Sequence, residues 1–146
     1  MATGESRQIR DWLQGRIGAG MRLGLGTCSE ILDRLDNPQR DYPTVHVAGT
    51  NGKGSLCAHL SSLGASNGEL VGLFTSPHLI TEEERTRIDG RPIDPDTLDN
   101  LLEEVRLACE SEPKIEPTYF EVTFLASMLA FSRAGVDRAV IETGLG

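Results

Sequence analysis

The stretch VHVAGTNGKGSL, from Val45 to Leu56, decides the fold because it joins an apolar run to a glycine-rich turn. The common phosphate-binding loop has the pattern G-x-x-x-x-G-K-[ST], whose glycines let backbone NH groups approach phosphates while the lysine reaches the outer ones. If Gly52 and Lys53 end that pattern, its first glycine should occupy position 47, which is Val47. The glycine instead stands two positions later, and Gly54 replaces the Ser or Thr after the lysine. The stretch is therefore a defective copy, a chance turn or a phosphate loop of another kind.

Length and charge limit the possible functions. A chain of 146 residues has the length of one domain with a modest core, and 38% apolar and 25% charged residues are typical of a soluble globular protein. The formal net charge of −8 disfavours nucleic acid and anionic membranes as partners. Any phosphate binding must therefore be local, built from a loop.

The cysteines and the hydropathy indicate the compartment. Cys28, Cys57 and Cys109 are odd in number and far apart, without the CxxC spacing of a zinc or redox site, so we expect free thiols. No basic N-terminal segment precedes an apolar run, and no stretch approaches about 18 apolar residues, the length of a membrane span. We therefore expect a cytoplasmic protein with no membrane partner.

Outside the opening stretch, the chain alternates between helical and strand patterns. Short apolar runs predict strands at TVHVAG, at Val71 to Thr75 and at DRAVIE, while the charged segment PHLITEEERTRIDGRPID predicts an exposed excursion with a short strand at RTRID. Apolar residues recur at helical spacing in five segments. These are SRQIRDWLQ, CSEILDRL, Ser55 to Ser66, Leu98 to Cys109 and YFEVTFLASMLAFSRAG. We expect Asp96 or Thr97 to be the N-cap of the fourth segment. The fifth is apolar nearly all round, so we expect it to be buried and to end at Gly135.

Strands separated by helices predict an α/β domain with a parallel sheet and flanking helices. Ligands of such sheets bind beyond the carboxyl ends of the strands. This rule selects three places that could converge on one site: the loop Gly49 to Ser55, the loop Thr75 to Pro77, and Glu142 with Gly144.

The residues at these three places offer coherent chemistry. The glycines of the loop leave the backbone open to a triphosphate, the next helix points its N-terminus at the phosphates, and Lys53 adds a full positive charge. Ser76 and Glu142 offer oxygen ligands to Mg²⁺, which binds through few protein groups together with phosphates and waters. A strand that ends in an acid near a phosphate loop is typical of nucleotide-hydrolysing enzymes.

Five ordered motifs, together with the lead-in GMRLGLGTCSEILDRLDNP, resemble folylpolyglutamate synthase and dihydrofolate synthase of the Mur ligase superfamily. The resemblance covers nearly the whole chain, and G-T-N-G-K-[GST]-[ST] is that superfamily's own phosphate loop, in a P-loop NTPase-like central domain. The motifs are GTNGKGS, FTSPHL, Glu84-Arg85 with Ile88 and Gly90 beyond, TYFE and VIETGLG.

The resemblance implies an ATP- and Mg²⁺-dependent ligase, monomeric and acting on small molecules, that joins L-glutamate to dihydropteroate or to folates through an acyl phosphate. It implies that Lys53 and Glu142 are catalytic and that Ser76 and Glu142 hold the metal. The ATP-binding residues would be Gly49, Thr50, Asn51, Gly52, Lys53, Gly54 and Ser55, and the pterin-binding residues Thr118, Tyr119, Phe120 and Glu121.

Simpler interpretations remain for several of these residues. Pro77 could merely end a strand, and Glu142 could be a helix cap or a solvated strand end. Tyr119 and Phe120 taken alone are ordinary core aromatics, whereas Glu121 either faces the site or reaches the edge of its helix. For the remaining polar residues, the expectation is that His46 and His78 are satisfied histidines and that Glu82 to Glu84 form a solvated face.

The resemblance also implies that residues 1–146 are the N-terminal part of an ATP-binding domain. The family motif begun by VIETGLG continues beyond Gly146, Thr143 replaces its more usual valine, and the C-terminal glutamate-ligating domain is absent. We therefore expect a fragment that is inactive by itself. Two alternatives stay open: another phosphate-loop ATPase or kinase, which Gly54 disfavours, and a noncatalytic nucleotide-binding module.

Overall fold

The computed structural model describes residues 4–18, 26–48 and 52–142, and this part of the chain contains five α-helices and five β-strands. The helices are α1 (Gly4–Gln14), α2 (Gly26–Arg34), α3 (Lys53–Ser66), α4 (Pro95–Glu110) and α5 (Tyr119–Ala134). The strands are β1 (Thr44–Val47), β2 (Val71–Phe74), β3 (Thr86–Ile88), β4 (Arg91–Pro92) and β5 (Arg138–Glu142). Two short 3₁₀ helices cover Pro38–Asp41 and Glu82–Arg85.

The sheet has the strand order β1-β5-β2-β3-β4. The pairs β1–β5 and β5–β2 are parallel, as predicted, with Val47 opposite Glu142 and Phe74 opposite Ile141. The predicted parallel sheet is thus confirmed for β1, β5 and β2, and the short strands β3 and β4 extend it antiparallel at one edge. After β2 the chain makes a return of 11 residues without a crossover α-helix, and such a return brings the next strand back antiparallel.

Alternating side chains of the strands divide the core between two faces. Val71 and Leu73 of β2 pack with Val47, Val140 and Cys57 of α3 on one face. Phe74 of β2 packs on the other face in a cluster with residues of α5, such as Phe131. The chain therefore covers its parallel strands with a helix on each side, the arrangement of an α/β domain.

The bounds of α5 follow from its two ends. Thr118 and Glu121 form a capping box at its start, and Gly135 ends it with the left-handed φ of +68°. Nine of the ten residues from Val122 to Phe131 are buried, which confirms that this helix lies in the core.

The N-cap of α4 differs from the prediction. Asp94 is the N-cap, and its Oδ2 accepts hydrogen bonds from the backbone NH groups of Asp96 and Thr97 at 3.1 and 3.2 Å. The prediction of Asp96 or Thr97 as N-cap was therefore wrong.

The segment between β2 and α4 is exposed over much of its length, as its charges predicted, but it also contributes residues to the core. Arg85, Thr86 and Ile93 are buried, and Thr86 Oγ1 lies 2.5 Å from Ser127 Oγ inside the core. The short strand expected at RTRID is present as β3 and continues the sheet, which is why its inward residues lose contact with water. Among the helices of the described ranges, none has the length and apolar character that crossing a membrane requires.

Candidate functional site

The carboxyl ends of three adjacent strands meet at one edge of the sheet. Because β5 lies between β1 and β2 and is parallel to both, Val47, Glu142 and Phe74 end side by side. The loops that the sequence selected follow these strand ends, as predicted. Of the predicted ATP-binding residues, Gly49, Thr50 and Asn51 lie outside the described residues, as do residues 143–146.

The N-terminus of α3 stands at this edge without a side-chain cap. Gly52 is its N-cap, with a φ of +76° that favours glycine, and the helix begins at Lys53, two residues before the predicted start. The first intrahelical hydrogen bond runs from Leu56 N to Gly52 O over 3.0 Å, so the NH groups of the first turn have no acceptor within the helix. Gly52, Gly54 and Ser55 are exposed and Lys53 is half-buried, which leaves these amide donors accessible to an anion.

Glu142 occupies the space between this helix and the end of β2. Its side chain is buried, with 6% of the residue exposed, so the solvated strand end considered from the sequence is excluded. Oε1 accepts a hydrogen bond from the backbone NH of Ser76 at 3.2 Å, and a Cβ at Gly54 would contact Oε2 at 3.6 Å. The geometry therefore joins Ser76, Glu142 and Gly54, three residues that the sequence assigned to one site.

The pKa of the Cys57 thiol reports the charges around this edge. Burial raises that pKa, the negative charge of Glu142 raises it further, and the positive charge of Lys53 lowers it. Cys57 is therefore an inert thiol. Because the charges of Lys53 and Glu142 both shift the pKa of Cys57, the two residues predicted to be catalytic lie near the same buried thiol.

The oxygen atoms at this edge fit a magnesium ion. Within the described residues no group of three His, Cys, Asp or Glu side chains forms a ready metal cage. A single buried carboxylate beside a half-buried serine is instead the sparse set of hard oxygen donors with which proteins bind Mg²⁺ when phosphates and waters complete the shell.

Thr118 and Glu121, predicted to meet the substrate, are engaged with each other. Thr118 N donates to Glu121 Oε1 at 2.9 Å, and Glu121 N donates to Thr118 Oγ1 at 3.2 Å. Of the two alternatives for Glu121, its carboxylate thus reaches the helix edge, where it also faces the positive end of the helix dipole. The T-x-x-E spacing is the sequence signal for this capping box.

Tyr119 and Phe120 are not ordinary core aromatics. Tyr119 donates its hydroxyl to Glu82 Oε2 at 2.6 Å, and its pKa is raised by burial and by this bond to a carboxylate. Phe120 is 40% exposed, although its ring packs edge-on against Phe74 at 5.7 Å and stacks with Phe124 at 6.4 Å. Since Phe74 ends β2, Phe120 adds apolar surface next to the loop that follows this strand and contains Ser76, called the Ser76 loop below.

A charged network that sequence reasoning missed supports this surface. Arg10 of α1 binds Glu82 at 3.1 Å and Glu83 at 2.7 Å, so these glutamates are not the solvated face that was expected. They lie more than 70 residues from Arg10, and no local pattern could have joined them. His78 accepts a hydrogen bond from Arg85 Nε at 2.8 Å, which confirms a satisfied histidine, whereas His46 is exposed on β1.

Comparison with known proteins finds homologues of one kind. No protein-family model matches the chain. The chain is 38% identical over 144 residues to a dihydrofolate synthase/folylpolyglutamate synthase of Bacillus subtilis, covering 96% of this chain and 34% of that protein. The chain is a homologue of the folylpolyglutamate/dihydrofolate synthases over nearly its whole length.

Solved structures of the folylpolyglutamate/dihydrofolate synthase family have the same fold. E. coli FolC in complex with DHPP and ADP matches with a TM-score of 0.87 and 32% identity, over 99% of this chain and 34% of that one. The bifunctional folylpolyglutamate synthase/dihydrofolate synthase of Yersinia pestis, complexed with AMPPNP and a Mn ion, matches with a TM-score of 0.87 and 30% identity, over 100% and 35%. The chain spans about a third of the length of the relatives it matches.

Proposed function

We propose that the complete protein is an ADP-forming ligase that joins L-glutamate to dihydropteroate, to reduced folates, or to both. The γ-phosphate of ATP passes to a carboxylate of the acid, the amine of L-glutamate attacks the acyl phosphate, and an amide forms as phosphate leaves. The observation that carries the proposal is the buried Glu142 carboxylate, held by Ser76 N beside Gly54 at an uncapped helix N-terminus.

The first turn of α3 binds the phosphates in this proposal. Its backbone NH groups and the positive end of the helix dipole face the anion, and Lys53 reaches the outer phosphates. Gly52 supplies the left-handed turn, and Gly54 and Ser55 complete the loop that Gly49, Thr50 and Asn51 begin. Phosphoryl transfer leaves little covalent work to the protein, so positioning and charge neutralisation by these groups constitute the catalysis.

Ser76 and Glu142 hold Mg²⁺ in this proposal. When bound, the ion neutralises charge on the transferring phosphoryl group. Ser76 contributes a hydroxyl, and Glu142 contributes a carboxylate whose orientation its bond from the Ser76 backbone fixes. Few protein ligands are needed, because phosphate oxygens and waters fill the other positions.

The exposed Phe120 ring receives the pterin in this proposal. Stacking on Phe124 and contact with Phe74 fix its plane next to the Ser76 loop. Thr118 and Glu121 shape this surface by capping α5, and Tyr119 anchors it through Glu82. Their role toward the pterin is to hold the start of the helix in place.

The remaining features of the proposal concern the whole protein. We propose a cytoplasmic monomer whose partners are small molecules, with neither nucleic acid nor membrane among them; the net charge of −8 and the three free cysteines support it. We further propose that residues 1–146 are the N-terminal part of the ATP-binding domain and that the glutamate-ligating domain lies outside this sequence. The support is that the chain spans about a third of its relatives.

A coupled assay tests the function on the protein expressed from its complete gene. ADP should appear only when L-glutamate and either dihydropteroate or tetrahydrofolate are both present, and mass spectrometry should find the glutamylated product. Comparing the two acids separates the two ligase reactions. ATP hydrolysis without an acceptor would instead indicate another phosphate-loop ATPase, and ATP binding without turnover would indicate a noncatalytic module.

A further inference from the structure

Arg85 is a nearly buried cation at the same edge of the sheet. Only 8% of the residue is exposed. Its Nε donates to His78 Nδ1 at 2.8 Å, and its guanidinium carbon lies 5.1 Å from the centroid of the Tyr119 ring. One contact is a hydrogen bond to a ring nitrogen and the other a cation–π contact, so neither is an ion pair with a carboxylate.

Within the described residues, no carboxylate forms an ion pair with Arg85. The contrast with Arg10 is direct, because Arg10 binds Glu82, Glu83 and Asp99 at 2.6 to 3.1 Å. Glu82, the acid that shares Tyr119 with Arg85, is engaged by Arg10 and by the Tyr119 hydroxyl. In the described part of the chain, the terminal nitrogens of Arg85 donate no hydrogen bond, and they are not sealed inside the protein.

A charge that is largely removed from water and has no paired carboxylate is costly, and a ligand that reaches its accessible nitrogens completes the pairing. The planar guanidinium fork matches the two oxygens of a carboxylate, to which it donates two parallel hydrogen bonds. Arg85 therefore has the burial and the donor geometry of a binding residue for a carboxylate.

The contacts of Arg85 place that carboxylate at the candidate site. His78 is two residues from Ser76 in the loop that follows β2. Tyr119 precedes Phe120, whose ring packs on Phe74 at the end of the same strand. The guanidinium thus lies between the Ser76 loop and the start of α5. It is separate from the NH groups at the start of α3 and from Lys53, which bind the phosphates in the proposed function.

We propose that Arg85 binds a carboxylate group of a substrate at this edge of the sheet. The inference rests on the proposed function, which supplies two carboxylate sources: the pteroate or folate acid, and L-glutamate. Arg85 is a substrate-binding residue in this proposal, and its bond to His78 orients the fork toward the ligand.

Calorimetric titration of the protein from its complete gene tests the proposal without turnover. Dihydropteroate and L-glutamate are titrated separately in the presence of ADP and Mg²⁺, and ATP is titrated alone. Arg85→Gln should weaken binding of one carboxylate ligand by about tenfold to hundredfold, the usual effect of losing a charge-assisted hydrogen bond, and change ATP binding by less than about threefold. The affected ligand identifies the source of the carboxylate.

Three further variants separate direct binding from structure. Arg91→Gln removes one exposed positive charge from β4 and should leave all three affinities unchanged. Arg85→Lys keeps the charge but loses the fork, and should give an intermediate affinity. His78→Ala should weaken carboxylate binding less than Arg85→Gln does. Thermal melting and circular dichroism verify that each variant is folded.

Four outcomes would overturn the proposal: unchanged affinity for both carboxylates in Arg85→Gln, an equal loss in His78→Ala, a loss confined to ATP, or no carboxylate binding by the wild type. These results are independent of the ligase assay. If the wild type ligates glutamate and the Arg85→Gln variant binds both carboxylates with wild-type affinity, only the role of Arg85 is disproved. If the wild type does not ligate glutamate but the Arg85→Gln variant loses carboxylate affinity, only the proposed function is disproved.

Discussion

Ser76 and Glu142 are joined by a hydrogen bond of 3.2 Å from the Ser76 backbone NH to Oε1 of Glu142. They lie 66 residues apart, and the bond ties the end of β2 to the end of β5. Because the donor is backbone, the carboxylate is oriented by the sheet itself and not by a flexible partner. The metal ligand that we propose is thus fixed by the fold before any ligand binds.

Replacing Glu142 by Gln should abolish most of the activity without unfolding the protein. The amide oxygen still accepts from Ser76 N, but the negative charge for Mg²⁺ is lost, so kcat should fall by on the order of a hundredfold or more. ADP formation with L-glutamate and dihydropteroate measures it. Glu69→Gln, which alters a partly exposed glutamate paired with Arg138, is the matched control and should retain full activity. Equal activity of both variants would show that Glu142 is not a metal ligand.

Replacing Lys53 by Ala should remove the charge that faces the phosphates. We expect kcat/KM for ATP to fall by on the order of a hundredfold, while the free energy of unfolding changes by less than about 1 kcal/mol because the side chain is only half-buried. The control is Lys114→Ala, since Lys114 is exposed and pairs with Glu116 at 3.5 Å. Undiminished turnover in the Lys53 variant would mean that the loop does not bind ATP.

Replacing Gly72 by Ala should destabilise the core. A Cβ at this position in β2 would lie 2.7 Å from Phe131 Cε1, and Phe131 is fully buried against the sheet. The overpacking should cost about 1 to 3 kcal/mol in urea unfolding. Gly26→Ala, with nothing within 4 Å of the new Cβ, should cost far less. Combining Gly72→Ala with Phe131→Leu should cost less than the sum of the single changes, and strict additivity would contradict the clash.

The stability of the protein should fall as pH rises above about 9. Burial raises the pKa of Cys109 to about 12, above the ordinary value of 9.0. Below pH 9 the thiol is neutral in both states, whereas between pH 9 and 12 it ionises only in the unfolded state, which favours unfolding. Over this range the Cys109 contribution should decrease by about 1.4 kcal/mol per pH unit.

Urea unfolding under reducing conditions at pH 8, 9 and 10 checks this dependence. Wild type and Cys109→Ala are compared at each pH, so that ionisation of other groups cancels. The stability advantage of the wild type should be constant below pH 9 and smaller at pH 10. A difference that does not change with pH would contradict the raised pKa.

The elements of the fold were predictable because their signals are local. Val71 to Thr75 is a short apolar run closed by Ser76-Pro77, and the all-apolar pattern of α5 ends at a glycine with positive φ. The edge strands were harder, since the charges between Glu82 and Arg87 suggested exposure. Pairing of β3 with β2 buries Thr86, and that pairing is a long-range event which composition does not encode.

For the site, the sequence predicted the meeting of Ser76, Glu142 and Gly54 through the rule that parallel strands end at a common edge. The capping role of Glu121 was predictable from the T-x-x-E spacing, but the resemblance led us to assign Glu121 to the substrate site instead. The role proposed for Arg85 could not be inferred from the sequence, because only the structure shows that none of the described carboxylates forms an ion pair with it.

The position of β5 between β1 and β2 has a consequence for protein synthesis. Among the described strands, β1 and β2 precede β5 in the chain but do not pair with each other, and the strand that joins them begins at Arg138, more than 60 residues after β2 ends. Until it arrives, the nascent chain presents unpaired strand edges that are prone to wrong association. The same late strand carries Glu142, so the joining of β1 to β2 and the placement of this carboxylate at the sheet edge occur in one step.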